Sequence, residues 1–228
     1  LQAVTEIFHQ SVSLVHRCWD EGLSEAENLA KFGRDASSAG IGNDLVLSVE
    51  VEGGSLTEGE VRSWIRSSWD HQDLRHKLPV GSLEELLWEF VHQAPKPVLS
   101  VTLKTRSPLT LIWTRQHVKS LSLIWRRPFS VLLEEGGGAR WNLDFHFQNL
   151  FQAGQGVLLK RKKLEGELED WAQSLEKNNF KTSRNVKDLE QMLDAMFNSV
   201  KKISPDLQSI ACETVLGRKR LIHEPIST

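Results

Sequence analysis

Between residues 99 and 147 apolar side chains recur at every second position, and this alternation constrains the fold more than any other feature of the chain. Leu99, Val101 and Leu103 alternate with Ser100, Thr102 and Lys104; Leu109, Leu111 and Trp113 with Thr110 and Thr114; Leu121, Leu123 and Trp125 with Ser120 and Ser122. Phe129, Val131 and Leu133 continue it. After Gly136-Gly137-Gly138 come Trp141, Leu143, Phe145 and Phe147, alternating with Asn142, Asp144 and His146. Period-two segments with short connections predict an antiparallel meander of five or six strands, one face apolar and the other polar. Leu45, Leu47, Val49 and Val51 add a further strand. The apolar face needs a cover, and helices are the natural one. Thr57-x-x-Glu60 and Ser82-x-x-Glu85 are capping-box patterns, which announce helices lined by Val61, Trp64, Ile65 and Trp69, and by Leu83, Leu86, Leu87, Phe90 and Val91. The similar runs Leu109–Arg115 and Leu121–Arg127 read as two neighbouring strands of equal burial, since a repeat architecture would need more copies.

The two ends read as helical. Val4, Ile7, Phe8, Leu14, Val15, Cys18 and Trp19 fit an amphipathic helix over 1–20, and Ser24 caps a second. After Gly156 the period lengthens. Val157, Leu164, Leu168, Trp171 and Leu175 form one seam, and Val186, Leu189, Leu193, Met196, Val200 and Ile203 form another with heptad steps. Ser204-Pro205 resembles the start of a last short helix to Leu216. The expected fold class is α+β: an antiparallel meander sheet with helices on one face, then a C-terminal helical hairpin or coiled coil. The expected divisions are N-terminal helices over 1–33, a linker over 34–43, a head over 44–153, helices over 157–216 and a mobile tail over 217–228.

Composition narrows the function classes. No apolar stretch reaches the roughly 20 residues of a membrane-spanning helix, and the first ten residues lack the basic flank of a leader. Cys18 and Cys212 allow one bridge at most, which predicts an intracellular home. The 228 residues carry a net charge of −2, unevenly spread: residues 1–95 hold 7 Lys and Arg against 16 Asp and Glu, and residues 96–228 hold 21 against 14. Chemistry-bearing patterns are sparse. His71, Asp73 and His76 lack helical ligand spacing and a third partner for a metal. Asp144 and His146 share the polar face of a strand at a spacing common by chance. Gly136–Gly138 is followed by a strand, so it is a hairpin turn and no phosphate loop. The expectation is therefore a non-enzymatic protein with no catalytic residues, no metal and no cofactor.

Two interaction surfaces follow from the pattern. The seams require a partner helix, within the chain or from another chain, with Leu164, Leu168, Trp171, Leu175, Leu189, Leu193, Met196 and Val200 as the contacts. The alternative is a nucleic-acid-binding module using Arg115, Arg126, Arg127, Arg140, Lys160, Arg161, Lys162 and Lys163, whose affinity would fall steeply with salt. The element order, a helical pair inside a β-rich head, the strand Trp141-Asn142-Leu143-Asp144-Phe145-His146-Phe147 and then a long breaking helix, resembles the XLF (Cernunnos) family of DNA end-joining scaffolds. That resemblance implies a nuclear scaffold for DNA repair that recruits protein partners. It carries over no binding residues, and residues 1–33 depart from the family's initial strands.

Overall fold

A computed structural model describes residues 4–76, 81–106, 109–152, 156–214 and 220–223. The chain is mixed α and β, and it divides into two compact units: Leu1–Leu121 with Phe151–Leu158, and Ser122–Leu150 with Leu159–Thr228.

The first unit runs β1 (Thr5–His16), α1 (Glu25–Phe32), a 3-10 turn (Gly33–Ala36), β2 (Ile41–Glu52), α2 (Glu58–Ser68), β3 (Gln72–Asp73), α3 (Leu83–His92), β4 (Ser100–Thr105) and β5 (Leu109–Thr114). Its strands lie in the order β3-β1-β2-β4-β5. β1, β2, β4 and β5 pair antiparallel in turn, whereas the two residues of β3 run parallel to Leu14–Val15. Register decides which side chains share the core. Val12 faces Leu45, Val49 faces Val101, and Leu103 faces Leu111. All are buried, together with Trp64 and Ile65 of α2 and Leu87 and Phe90 of α3. Trp64 stacks on Phe90 with ring centroids 4.0 Å apart. The α2 capping box forms in full. At α3 the Ser82 hydroxyl accepts the Glu85 N–H.

The second unit holds the greater part of β6 (Ser120–Leu133), β7 (Gly138–Gln152) and α4 (Val157–Lys177), and all of β8 (Lys181–Thr182), α5 (Val186–Ile203), β9 (Leu207–Thr214) and β10 (Arg220–His223). Its strand order is β8-β6-β7-β9-β10, and β8 runs parallel to Leu132–Leu133. Phe129 and Phe145 meet Trp171 of α4 edge-on, at 6.0 and 5.7 Å. Leu168 of α4 and Leu193, Met196 and Val200 of α5 are buried.

Each unit thus follows the same plan: two long strands, a helix, a two-residue strand parallel to the first strand, a second helix, and two more strands. Only the first unit inserts α1 between its opening strands; in the second, Gly136 and Gly137 take φ of 94° and 89° in a tight hairpin.

Several sequence expectations are corrected. Residues 5–16 are a strand, not the expected helix. Val12, Leu14 and His16 also obey period two, and pairing along the full length of β2, from Thr5–Glu52 to His16–Ile41, outweighs the helical reading. Val4 and Ile7, which the helical reading would have buried, are exposed. The expected helix after Ser204-Pro205 is β9, because Cys212 and Ile210 pair with Leu143 and Phe145 of β7. The segments 121–125 and 129–133 are one strand rather than two: Trp125 and Phe129 have the same parity, so the chain passes Arg127-Pro128 without changing faces. The expected linker contains the buried Ala36, and β2 begins at Ile41. Of the expected tail, residues 220–223 form β10, and 217–219 and 224–228 lie outside the described residues. No helix among the described residues is long and apolar enough to cross a membrane.

Candidate active site

The corner between α2 and β3 holds a geometry that the sequence pattern did not signal. Trp69 ends α2, its N–H still donating to Ile65 O at 2.8 Å, and Asp70 N–H donates to the same carbonyl at 3.0 Å. The chain must then turn sharply to lay Gln72–Asp73 beside β1. His71 makes that turn with φ of 58°, in the left-handed region that side chains other than glycine occupy at a cost.

Surrounding contacts fix the turn. His71 N–H donates to Ser13 O at 2.7 Å, Leu74 N–H to Val15 O at 2.7 Å, and Gln72 N–H to Trp69 O at 3.0 Å. Trp69 and Leu74 are buried on either side, and Trp69 lies against Phe90. The Asp70 carboxylate points back onto β1, where Oδ1 accepts the Ser13 N–H at 3.1 Å. Its side chain is only 13% exposed, whereas the adjoining His71 ring is 83% exposed. Nε2 of His71 stands 3.9 Å from Asp70 Oδ1. Among the described residues His71 is the one titratable side chain held at positive φ; the other non-glycine cases are Asn149 and Asn179.

Neighbouring charged groups are committed elsewhere. Hydrogen bonds from the Arg75 guanidinium hold the Asp73 carboxyl down to about 2, so Asp73 stays ionised and cannot act as an acid near neutrality. Ser13 Oγ donates to Asp44 Oδ1 at 2.7 Å, and Asp44 also pairs with Arg106 at 2.6 Å. Among the described residues no group of three or more His, Cys, Asp or Glu is placed to hold a metal. Cys18 and Cys212 are buried, and burial pushes the Cys212 thiol up to about 11, which disfavours a thiolate nucleophile. The arrangement can move a proton, since an exposed imidazole stands beside a shielded carboxylate on a fixed turn.

The sequence-derived site residues lie elsewhere. Leu164, Leu168, Leu193, Met196 and Val200 are buried within the second unit, and Trp171, Leu175 and Leu189 are half-buried. Arg115 lies in the first unit, paired with Glu52 at 3.2 Å. Arg126 holds Asp144 through two hydrogen bonds, at 2.7 and 3.0 Å, and reaches Glu213 at 3.2 Å. Asp144 is thereby committed to an ion pair. Arg127 meets Glu169 and Glu176, both at 3.0 Å, Arg161 meets Glu165 at 2.8 Å, and Lys163 lies 3.8 Å from Glu167. Arg140 and Lys160 are exposed, and Lys162 is half-buried.

No family model matches the chain, and no curated protein does. Among solved structures it is similar to the 6-pyruvoyl tetrahydropterin synthase of Caenorhabditis elegans, at 22% identity and a TM-score of 0.43, over 50% of this chain and 96% of that one. That neighbour is a synthase, and no comparison shows an XLF relationship, so the expected XLF resemblance is withdrawn. Nothing in the comparisons supports the expectations of a non-enzymatic scaffold, of a coiled-coil subunit of nuclear DNA repair, or of a DNA-binding module. Internal ion pairs give the last correction a physical reason, since most of the basic side chains cited for it already face carboxylates.

Proposed function

We propose that the chain carries out general acid–base chemistry on a small polar substrate at the α2–β3 corner, with His71 as the proton-transferring group and Asp70 as the residue that positions it by holding the turn to β1. The observation that carries this reading is the left-handed backbone of His71, which presents the ring outward while the turn is bolted to β1 by the His71 N–H and the Asp70 carboxylate. A corner serving only to reverse the chain is easier to make with glycine or asparagine.

Proton exchange offers a test that works before any substrate has been identified. A pool of small carbonyl compounds and nitrogen heterocycles is incubated in D2O with the protein, and mass spectrometry reads deuterium uptake. Exchange is expected in at least one compound, falling by about 100-fold or more in His71→Ala and in Asp70→Asn with the fold intact. Uptake that is absent in the wild type, or unchanged in His71→Ala, overturns the proposal. The finer reading of the last third, as a helical hairpin rather than a coiled coil, belongs to the same proposal; the hydrogen bond from Trp171 Nε1 of α4 to Ser199 Oγ of α5, 2.9 Å long, supports it.

A further inference from the structure

The corresponding corner of the second unit has a different character. There the chain leaves α4, turns at Asn179 with φ of 50°, and enters β8 through Phe180. Leu132 pairs with Lys181 much as Leu14 pairs with Gln72, so the equivalents of Asp70 and His71 in register are Asn179 and Phe180. The acid–base pair is gone, and a cavity of about 670 Å3 opens beside the corner, between α4, β8 and α5.

The cavity is an open cleft, and its volume falls within the roughly 300–1,000 Å3 common for ligand pockets. The wall is mixed in a way that selects a ligand. Trp171, Phe180, Met192 and Met196 provide aromatic and thioether surface, and methionine adapts its shape to a flat ring. Glu134 and Asp188 bring carboxylates to the same wall against a single cation, Lys181, leaving it net negative. The Asp188 carboxylate is held by the Ser183 hydroxyl and the Trp171 indole by Ser199, so both enter the wall already oriented.

We infer that this cavity binds a small aromatic amine in its cationic form, the ring against Trp171 and the methionines and the ammonium toward Glu134 and Asp188. Aromatic faces and carboxylates both favour a cation and disfavour an anion of the same shape. The inference is independent of His71.

Tryptamine and indole-3-propionate are the probes, alike in ring and reach and opposite in charge, each titrated into the full chain and followed by amide chemical shifts. Tryptamine is expected to shift the amides of residues 180–183 and 188–199 saturably, with indole-3-propionate weaker by about tenfold or more. Glu134→Gln and Asp188→Asn should each weaken tryptamine by a similar factor. Ala195→Trp, which fills the cavity from the α5 side, should abolish binding while the rest of the spectrum stays native. Absence of tryptamine binding, equal binding of the two probes, or undiminished binding in Ala195→Trp overturns the inference.

Discussion

His71 combines an unfavourable backbone with an exposed ring, and the balance can be measured. A left-handed conformation costs a residue with a side chain about 1–2 kcal/mol, and glycine removes that cost while adding about 0.5–1 kcal/mol of unfolded-state entropy. His71→Gly is therefore expected to leave the urea midpoint unchanged or slightly raised while removing the proton-transfer group. A loss of more than about 1 kcal/mol would show that the ring holds the fold together instead. The pair Asp70-His71 is visible in the sequence, but its role was not legible there. Nothing local announces that residue 71 turns left-handed, because the turn is imposed by the pairing of residues 72–73 with Leu14–Val15. Along the sequence His71 groups instead with Asp73 and His76, and Asp73 is occupied by Arg75.

At the scale of single elements, local signals were reliable wherever they were self-contained. Thr57 and Glu60 close the α2 box as their spacing implies: Thr57 N–H donates to Glu60 Oε2 at 2.8 Å, and Glu60 N–H donates to Thr57 Oγ1 at 3.2 Å. The Thr57 N–H, then hydrogen bonds from Lys96 and the Thr57 hydroxyl, lower the Glu60 carboxyl from 4.5 to about 2. A carboxylate with a depressed folded-state value contributes stability that is fully present above its unfolded value and is lost as pH falls toward the folded one. Between pH 4.5 and about 2, Glu60→Gln should therefore flatten the acid loss of stability seen by urea denaturation. Thr57→Ala should cost about 1 kcal/mol at neutral pH; equal acid limbs in wild type and Glu60→Gln would refute the assignment. Elements that depend on distant partners are the ones whose sequence pattern misleads. β1 and β9 carry apolar residues that fit helical spacing, and only the long-range edges of β2 and β7 make them strands.

At the scale of the molecule, charge and repetition matter most. The basic excess of residues 96–228 suggested a phosphate-binding face, yet Arg126, Arg127 and Arg161 are matched internally by Asp144, Glu213, Glu169, Glu176 and Glu165. Fluorescence anisotropy with labelled single- and double-stranded DNA at low ionic strength is accordingly expected to show no steeply salt-dependent binding; a steep negative slope of log affinity against log salt would contradict this. Apart from Arg161–Glu165, four residues apart on α4, these pairings were invisible in the sequence because the partners lie far apart along it, as Arg126 and Glu213 do. The repeated plan was equally hidden, since its two corners read Asp70-His71-Gln72-Asp73 and Asn179-Phe180-Lys181-Thr182, with no identity at any position.

Because one order of elements is used twice with different side chains, each half serves as a partial control for the other. The left-handed residue falls one register position earlier in the second half, at Asn179, so grafting residues 70–73 and 179–182 between the halves exchanges turn and side chains together.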